Sequence, residues 1–215
     1  HFQGIYRAKD RSLAHLEALV RMKDAQSPGD VIMPGQFIPH AETTGKIVEI
    51  DRWVLHKVVD LLASRPDIPS IAINISGRSF DEPGFPDYIS RLLLSHQVEP
   101  RRLLVELTET AAVSDMRDAQ VFIDALRATG CTVCLDDFGN GFASFAYLKQ
   151  LKADVLKIDG LFIRDLPVDR DSEIFVRGMV AMARDMGKIT IAEFVENEEI
   201  YNILLEIGID QVQGY

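Results

Sequence analysis

The feature that most constrains this chain is an alternation. Short runs with β character stand at 2–7, 15–22, 70–76, 102–109, 131–137, 154–159, 190–196 and 210–215. Helical patterns fill the gaps: 34–45 and 50–65 between the second and third runs, then 85–97, 115–129, 143–151, 172–187 and 197–207. Glycines at 130, 187 and 208 supply helix stop signals. Eight β runs interleaved with helices predict an α/β fold, a (β/α)8 barrel. Only "AKDRSLAH" joins the first two runs, too short for a helical crossover, so those strands must pair antiparallel. The expected fold is therefore a modified TIM barrel with the first strand antiparallel. There is no internal repeat and no linker, so 1–215 reads as one domain.

Composition sets the bounds. The chain has 215 residues, 47% hydrophobic and 26% charged, as in soluble globular proteins. The net charge of −10 argues against a nucleic-acid duplex as partner, since that needs a basic surface. No apolar run reaches the roughly 18 residues of a membrane span, and no signal peptide is visible, so this domain is expected to make no membrane contact. Cys131 and Cys134 read as core residues facing the same side of a strand, and so small a cysteine content fits a reducing compartment. A cytoplasmic location follows, including the cytoplasmic part of a membrane-anchored protein. His1 and Tyr215 read as the edges of a fragment of a longer chain. In the 172–187 helix, Phe175, Met179, Met182 and Met186 form a stripe at helical spacing. It reads as core-facing, with a subunit contact as the alternative.

A barrel of this kind carries its active site at the C-terminal strand ends. Those ends hold Glu17 with Arg21 beyond, Asn74, Glu106 and Glu109, Asp136 and Asp137, Lys157 and Asp159, Glu193 and Glu196, and Gln213. Any one alone is most simply a solvated charge, a turn residue or a helix cap, as Asp159 could be. Six consecutive strands ending this way is a pattern. Adjacent like charges at 136 and 137 imply a cation. Oxygen donors without His or Cys favour Mg2+ or Mn2+ over Zn2+. The number of carboxylates suits two ions, with one carboxylate bridging ions about 3.5–4 Å apart. Such ions would make an acidic mouth attractive to a phosphodiester. Lys157 fits a group that holds the attacking water, Arg21 a phosphate contact, and Gly139 and Gly141 a loop able to move near a ligand.

The segments "EALVR" (17–21), "PGQFIPHAE" (34–42), "NIS" (74–76), "ELTE" (106–109), "DDFGNG" (136–141), "LKID" (156–159), "EFVE" (193–196) and "QGY" (213–215) together resemble the EAL-domain cyclic di-GMP phosphodiesterases across the whole chain. The resemblance implies hydrolysis of cyclic di-GMP to linear pGpG with two Mg2+ or Mn2+ ions activating water. It implies Glu17, Asn74, Glu106 and Asp136 at the first ion, and Asp136, Asp137 and Glu193 at the second. Lys157 is similar to the family residue that contacts the nucleophilic water, and Glu193 to one regarded as general base. Gln3, Arg21, Glu196 and Gln213 resemble residues at or behind the substrate, and Glu109 the anchor of the loop after the fifth strand. Family members commonly form homodimers through helices near that loop, and are often fused to GGDEF or sensory domains. Asn140, Phe142, Ala143 and Phe194 depart from the family's usual Thr, Tyr, Ser and Gly.

The resemblance also leaves a rival reading open: a catalytically silent EAL domain that senses cyclic di-GMP or binds a protein. Such chains typically lose a metal ligand or the lysine, and none is lost here. An unrelated metal-dependent barrel lyase or aldolase shares only the barrel and its carboxylates.

Overall fold

The computed structural model describes residues 1–25, 27, 29–82, 84–140 and 146–214. The chain opens as a hairpin, β1 (Phe2–Arg7) and β2 (Leu13–Ala18), followed by a small two-stranded ladder of β3 (Met22–Lys23) and β4 (Val31–Ile32). Two helices, α1 (Pro34–Thr44) and α2 (Ile47–Ser64), lead to β5 (Ile71–Asn74). Then strands and helices alternate: α3 (Phe85–Ser95), β6 (Leu103–Thr108), α4 (Glu109–Ser114), α5 (Met116–Thr129), β7 (Thr132–Phe138), α6 (Ala146–Gln150), β8 (Val155–Ile158), α7 (Gly160–Ile163), α8 (Arg170–Asp185), β9 (Ile189–Ala192), α9 (Glu198–Ile207) and β10 (Gln211–Gln213).

Eight of the strands close into a barrel in the order β1-β10-β9-β8-β7-β6-β5-β2. β1 runs antiparallel to both of its neighbours, and the other pairings are parallel. The fold read from the alternation is the one observed, including the reversed first strand. The parallel strands are covered on both faces, which is why Ile71–Ile73 and Val133–Leu135 are continuously apolar and buried. The helices bury one stripe each. In α2, Val54, Leu55, Val58, Val59 and Leu62 repeat at helical spacing against the barrel.

Three expectations need correction. Cys131 and Cys134 are both buried but on opposite faces of the strand: Cys134 packs inside the barrel with Ile5, Val155 and Ile191, Cys131 in the outer core. They are three positions apart, and side chains alternate with period two. Glu109 is no strand residue. It opens α4, which Thr108 caps by accepting from Ala111 N at 3.3 Å. A second cap, Asp115, starts α5 and separates the two helices. The α8 stripe is only half buried: Met179 is in the core, whereas Phe175 is 57% exposed and Met186 39%. The buried face is centred on Val176, Val180 and Ala183, and Phe175 instead faces Phe162 at 6.0 Å between ring centroids. The 143–151 helix is described over Ala146–Gln150, and 143–145 lie outside the described residues.

Candidate active site

Strand register explains which side chains meet. Glu17 pairs with Gln3 and Ala72, Asn74 with Glu106, and Glu106 with Cys134. Laterally paired residues share a face, and residues two apart on one strand share it again. The register aligns Asn74, Glu106, Cys134 and Val155 across the interior face, and Lys157 with Ile191; Asp136, Lys157 and Glu193 each stand two residues beyond Cys134, Val155 and Ile191 on that same face. Gln213, opposite Ile5, completes this rim.

Asp137 is the exception that makes the rim work. Alternation would turn it outwards, away from Asp136. Instead its φ is +54°, and the β7–β8 register slips between Leu135 and Phe138. This kink brings carboxylate oxygens of Asp136, Asp137 and Glu193 within 4.8 Å of one another. The left-handed turn answers why two adjacent aspartates stand where the strand stops: both reach the same mouth.

Lys157 stands at the centre, 1% exposed. Its Nζ lies 3.1 Å from Asp136 Oδ1 and Glu193 Oε1, 3.3 Å from Glu106 Oε2 and 3.4 Å from Glu17 Oε2. Glu17 accepts further hydrogen bonds from Asn74 Nδ2 at 2.8 Å and Gln213 Nε2 at 2.6 Å. Behind the rim, Glu109 Oε2 accepts from Gly139 N at 2.8 Å, tying α4 to the turn after β7. Asn140 Nδ2 donates to Asp159 Oδ2 at 3.0 Å, and Asp159 caps α7 by accepting from Leu161 N. Gly141, Phe142 and Ala143 lie outside the described residues.

The electrostatics divide the group. Burial disfavours the charged form of Lys157, but Glu106, Asp136, Glu17 and Glu193 outweigh it and hold the ammonium above its ordinary range. Burial also acts upwards on Glu17, yet Lys157, Gln213 and Asn74 keep that carboxyl below the usual value. Glu106, fully buried, is driven well above it, with Lys157 opposing and Glu17 adding repulsion. Burial pushes Glu193 up to about 7, and burial with repulsion from Asp136 pushes Asp137 up to about 6. One ammonium is not enough to ionise this mouth fully at neutral pH.

Divalent cations fit these residues. Glu106 Oε1 is buried without a hydrogen-bond partner among the described residues, and such an atom calls for one. The donors are carboxylate and amide oxygens, the set that suits Mg2+ or Mn2+. The opposite end of the barrel gives a contrast. There Asp154 accepts from Val133 N and Arg127, and Asp210 from Thr190 N and Oγ1.

Two expected site residues stand apart. Arg21 turns its guanidinium onto Val20 O at 2.8 Å rather than towards the carboxylates. Glu196 is exposed, with no hydrogen bond or ion pair among the described residues. Gln3 lines a small cavity with Glu193, Phe194, Gln213 and Gly214. A larger cleft of about 270 Å3 opens beside Asn74, walled by Leu19, Pro34, Ile38, Ile50 and Ile75. Sequence reading missed this cleft, because its wall is assembled from α1, α2 and the ends of β2 and β5.

Fold and site together define a class: closed (β/α) barrels that gather oxygen ligands around a lysine on the C-terminal rim. Comparison narrows it. The EAL domain family model matches residues 1–215. The chain is 39% identical over 202 residues to "Cyclic di-GMP phosphodiesterase PdeF" of Escherichia coli K12, covering 93% of this chain and 27% of that protein. It is 36% identical over 219 residues to "Bifunctional diguanylate cyclase/cyclic di-GMP phosphodiesterase MucR" of Pseudomonas aeruginosa, covering 100% and 32%. A solved structure, "PaMucR Phosphodiesterase, c-di-GMP complex", superposes with a TM-score of 0.92 at 37% identity, over 100% of this chain and 87% of that one. The chain belongs to the EAL domain family. It spans about a third or less of the length of these curated relatives.

Proposed function

We propose that this domain is a metal-dependent phosphodiesterase that hydrolyses cyclic di-GMP to linear pGpG. The observation that carries the reading is the rim of buried Glu17, Glu106 and Asp136 and half-buried Asp137 and Glu193 around Lys157, in a chain of this family. Glu17, Asn74, Glu106 and Asp136 would hold one divalent ion, and Asp136, Asp137 and Glu193 a second. Two such ions, when bound, supply positive charge at the phosphoryl oxygens and lower the pKa of water at the site.

The chain's own groups do the rest. Lys157, kept charged by its neighbours, donates hydrogen bonds to the attacking water and opposes the negative charge that builds in the transition state. Glu193, whose Oε1 stands 3.1 Å from Lys157 Nζ, is placed to take the water's proton. Water attacks phosphorus in line, the P–O3′ bond breaks, and the leaving 3′-oxygen takes up a proton from solvent. The apolar cleft beside Asn74 offers a seat for a planar base. Gln3 and Gln213, with Arg21 and Glu196 if they turn inward, would hold the rest of the dinucleotide. Glu109 would steady the loop through Gly139.

The PdeF and MucR names support this reading, as does the cyclic di-GMP in the PaMucR structure. Among the described residues no helix is long and apolar enough to cross a membrane, which accords with action in the cytoplasm. The exposed Ile174 and Phe175 on α8 accord with a homodimer, and the greater length of the relatives with fused GGDEF or sensory domains.

The test is direct. The purified domain is incubated with cyclic di-GMP and Mg2+ or Mn2+, and pGpG is followed by chromatography. Production of pGpG that stops on chelation is expected. Tight nucleotide binding without turnover, also at protein concentrations that drive dimerisation, would favour the sensor reading instead.

A further inference from the structure

The end of β9 places a bulky residue in an unusual backbone. Phe194 has φ of +52°, the left-handed region that side chains with a Cβ avoid. The cause is visible on either side of it. Glu193 N donates to Ile158 O in β8 at 3.3 Å, whereas Val195 N donates to Gln213 O in β10 at 3.0 Å. The chain must pass from one neighbouring strand to the other within a single residue, and Phe194 makes that turn.

The ring has a fitted seat. At Gly160, the first residue of α7, an added Cβ would stand 2.2 Å from Phe194 Cδ2. Gly160 has no positive φ, so what matters there is the missing side chain. One turn further along, the Arg164 guanidinium lies 4.0 Å from the ring centroid, within cation–π range. The ring thus ties the end of β9 to the start of α7, and the residue just before it is Glu193, whose Oε1 reaches Lys157 at 3.1 Å.

We propose that Phe194, seated on Gly160 and covered by Arg164, is a positioning residue that fixes the left-handed turn and so aims the Glu193 carboxylate into the ion-binding rim. The inference rests on the reading that Glu193 holds a divalent ion. Groups that orient a ligand in this way are worth about 10–100-fold in metal affinity or activity when removed.

The test compares Phe194→Gly, Gly160→Ala and the double variant with the parent protein. Mn2+ affinity is titrated by electron paramagnetic resonance, and kcat and KM are measured for cyclic di-GMP. Phe194→Gly suits a positive φ, so it keeps the fold while removing the ring. Each single change is expected to weaken Mn2+ binding on the order of 10-fold and to lower kcat at limiting metal, with KM little changed. Gly160→Ala acts only by displacing the ring, so the double variant should be no worse than Phe194→Gly alone. Phe194→Tyr keeps the ring and should behave as the parent. Unchanged Mn2+ affinity and kcat in Phe194→Gly, or additive losses in the double variant, would overturn the proposal. A rise in KM alone would also overturn it, by assigning the ring to substrate. The titration needs no turnover: a parent that binds Mn2+ yet makes no pGpG defeats the phosphodiesterase reading while the titration still judges the clamp. A parent that binds no Mn2+ defeats both.

Discussion

At the residue scale, Lys157 is the group around which the site is built. It is buried, and its charge is held by four carboxylates. Removing one partner from a buried charge cluster leaves the remainder uncompensated. Lys157→Ala should therefore lower turnover by about 10²–10⁴-fold, with metal binding largely retained. It should also lower the melting temperature of the metal-free protein more than that of the Mn2+-loaded one. A collapse of Mn2+ affinity in this variant would show that the lysine builds the site instead of serving the water. Glu17→Ala removes a proposed metal ligand whose carboxylate also anchors Asn74 and Gln213. Loss of pGpG production with an unchanged circular dichroism spectrum is expected, and full activity would refute the ligand assignment. The identity of these residues was legible in the sequence, because each ends a strand. The position of Arg21 was not, since a long side chain beyond the strand end can turn either way.

At the element scale, the strands were legible from alternation and the helices from their apolar stripes and caps. What escaped were departures from regular periodicity. Two adjacent aspartates in a strand should point apart, and only the left-handed kink at Asp137 brings them together. Glu109 read as a strand end because it directly follows the β-like run Leu103–Thr108, yet Thr108 caps a helix there. The end of β10 tests how tightly the rim is packed. A Cβ on Gly214 would stand 1.8 Å from Val195 O, a backbone atom that cannot step aside. Gly214→Ala should push β10 from the 193–195 segment and cost about 3 kcal/mol, measured by urea unfolding. By comparison, Asn197→Ala only removes the α9 cap, which accepts from Ile200 N at 2.9 Å, and should cost about 1 kcal/mol.

At the scale of the whole molecule, the raised carboxyl pKa values couple stability to pH. Glu193 titrates near 7 and Asp137 near 6 in the folded chain, both above the ordinary carboxyl range near 4 in the unfolded one. Between about pH 4 and 7 the folded state therefore holds protons that the unfolded state has released, and stability falls as pH rises through that window. In chelator, the domain should melt higher at pH 5 than at pH 8. Glu193→Gln with Asp137→Asn should flatten that slope, and saturating Mn2+, which binds the ionised forms, should reverse it. A chelated protein equally stable at both pH values would show that the mouth is already neutralised.

The proposed function stands or falls with divalent cations seated in the rim of this barrel. Anomalous diffraction from crystals grown with Mn2+ tests it most directly. Manganese peaks are expected bounded by Glu17, Asn74, Glu106 and Asp136, and by Asp136, Asp137 and Glu193. A fully loaded crystal with no peak at these residues would contradict it.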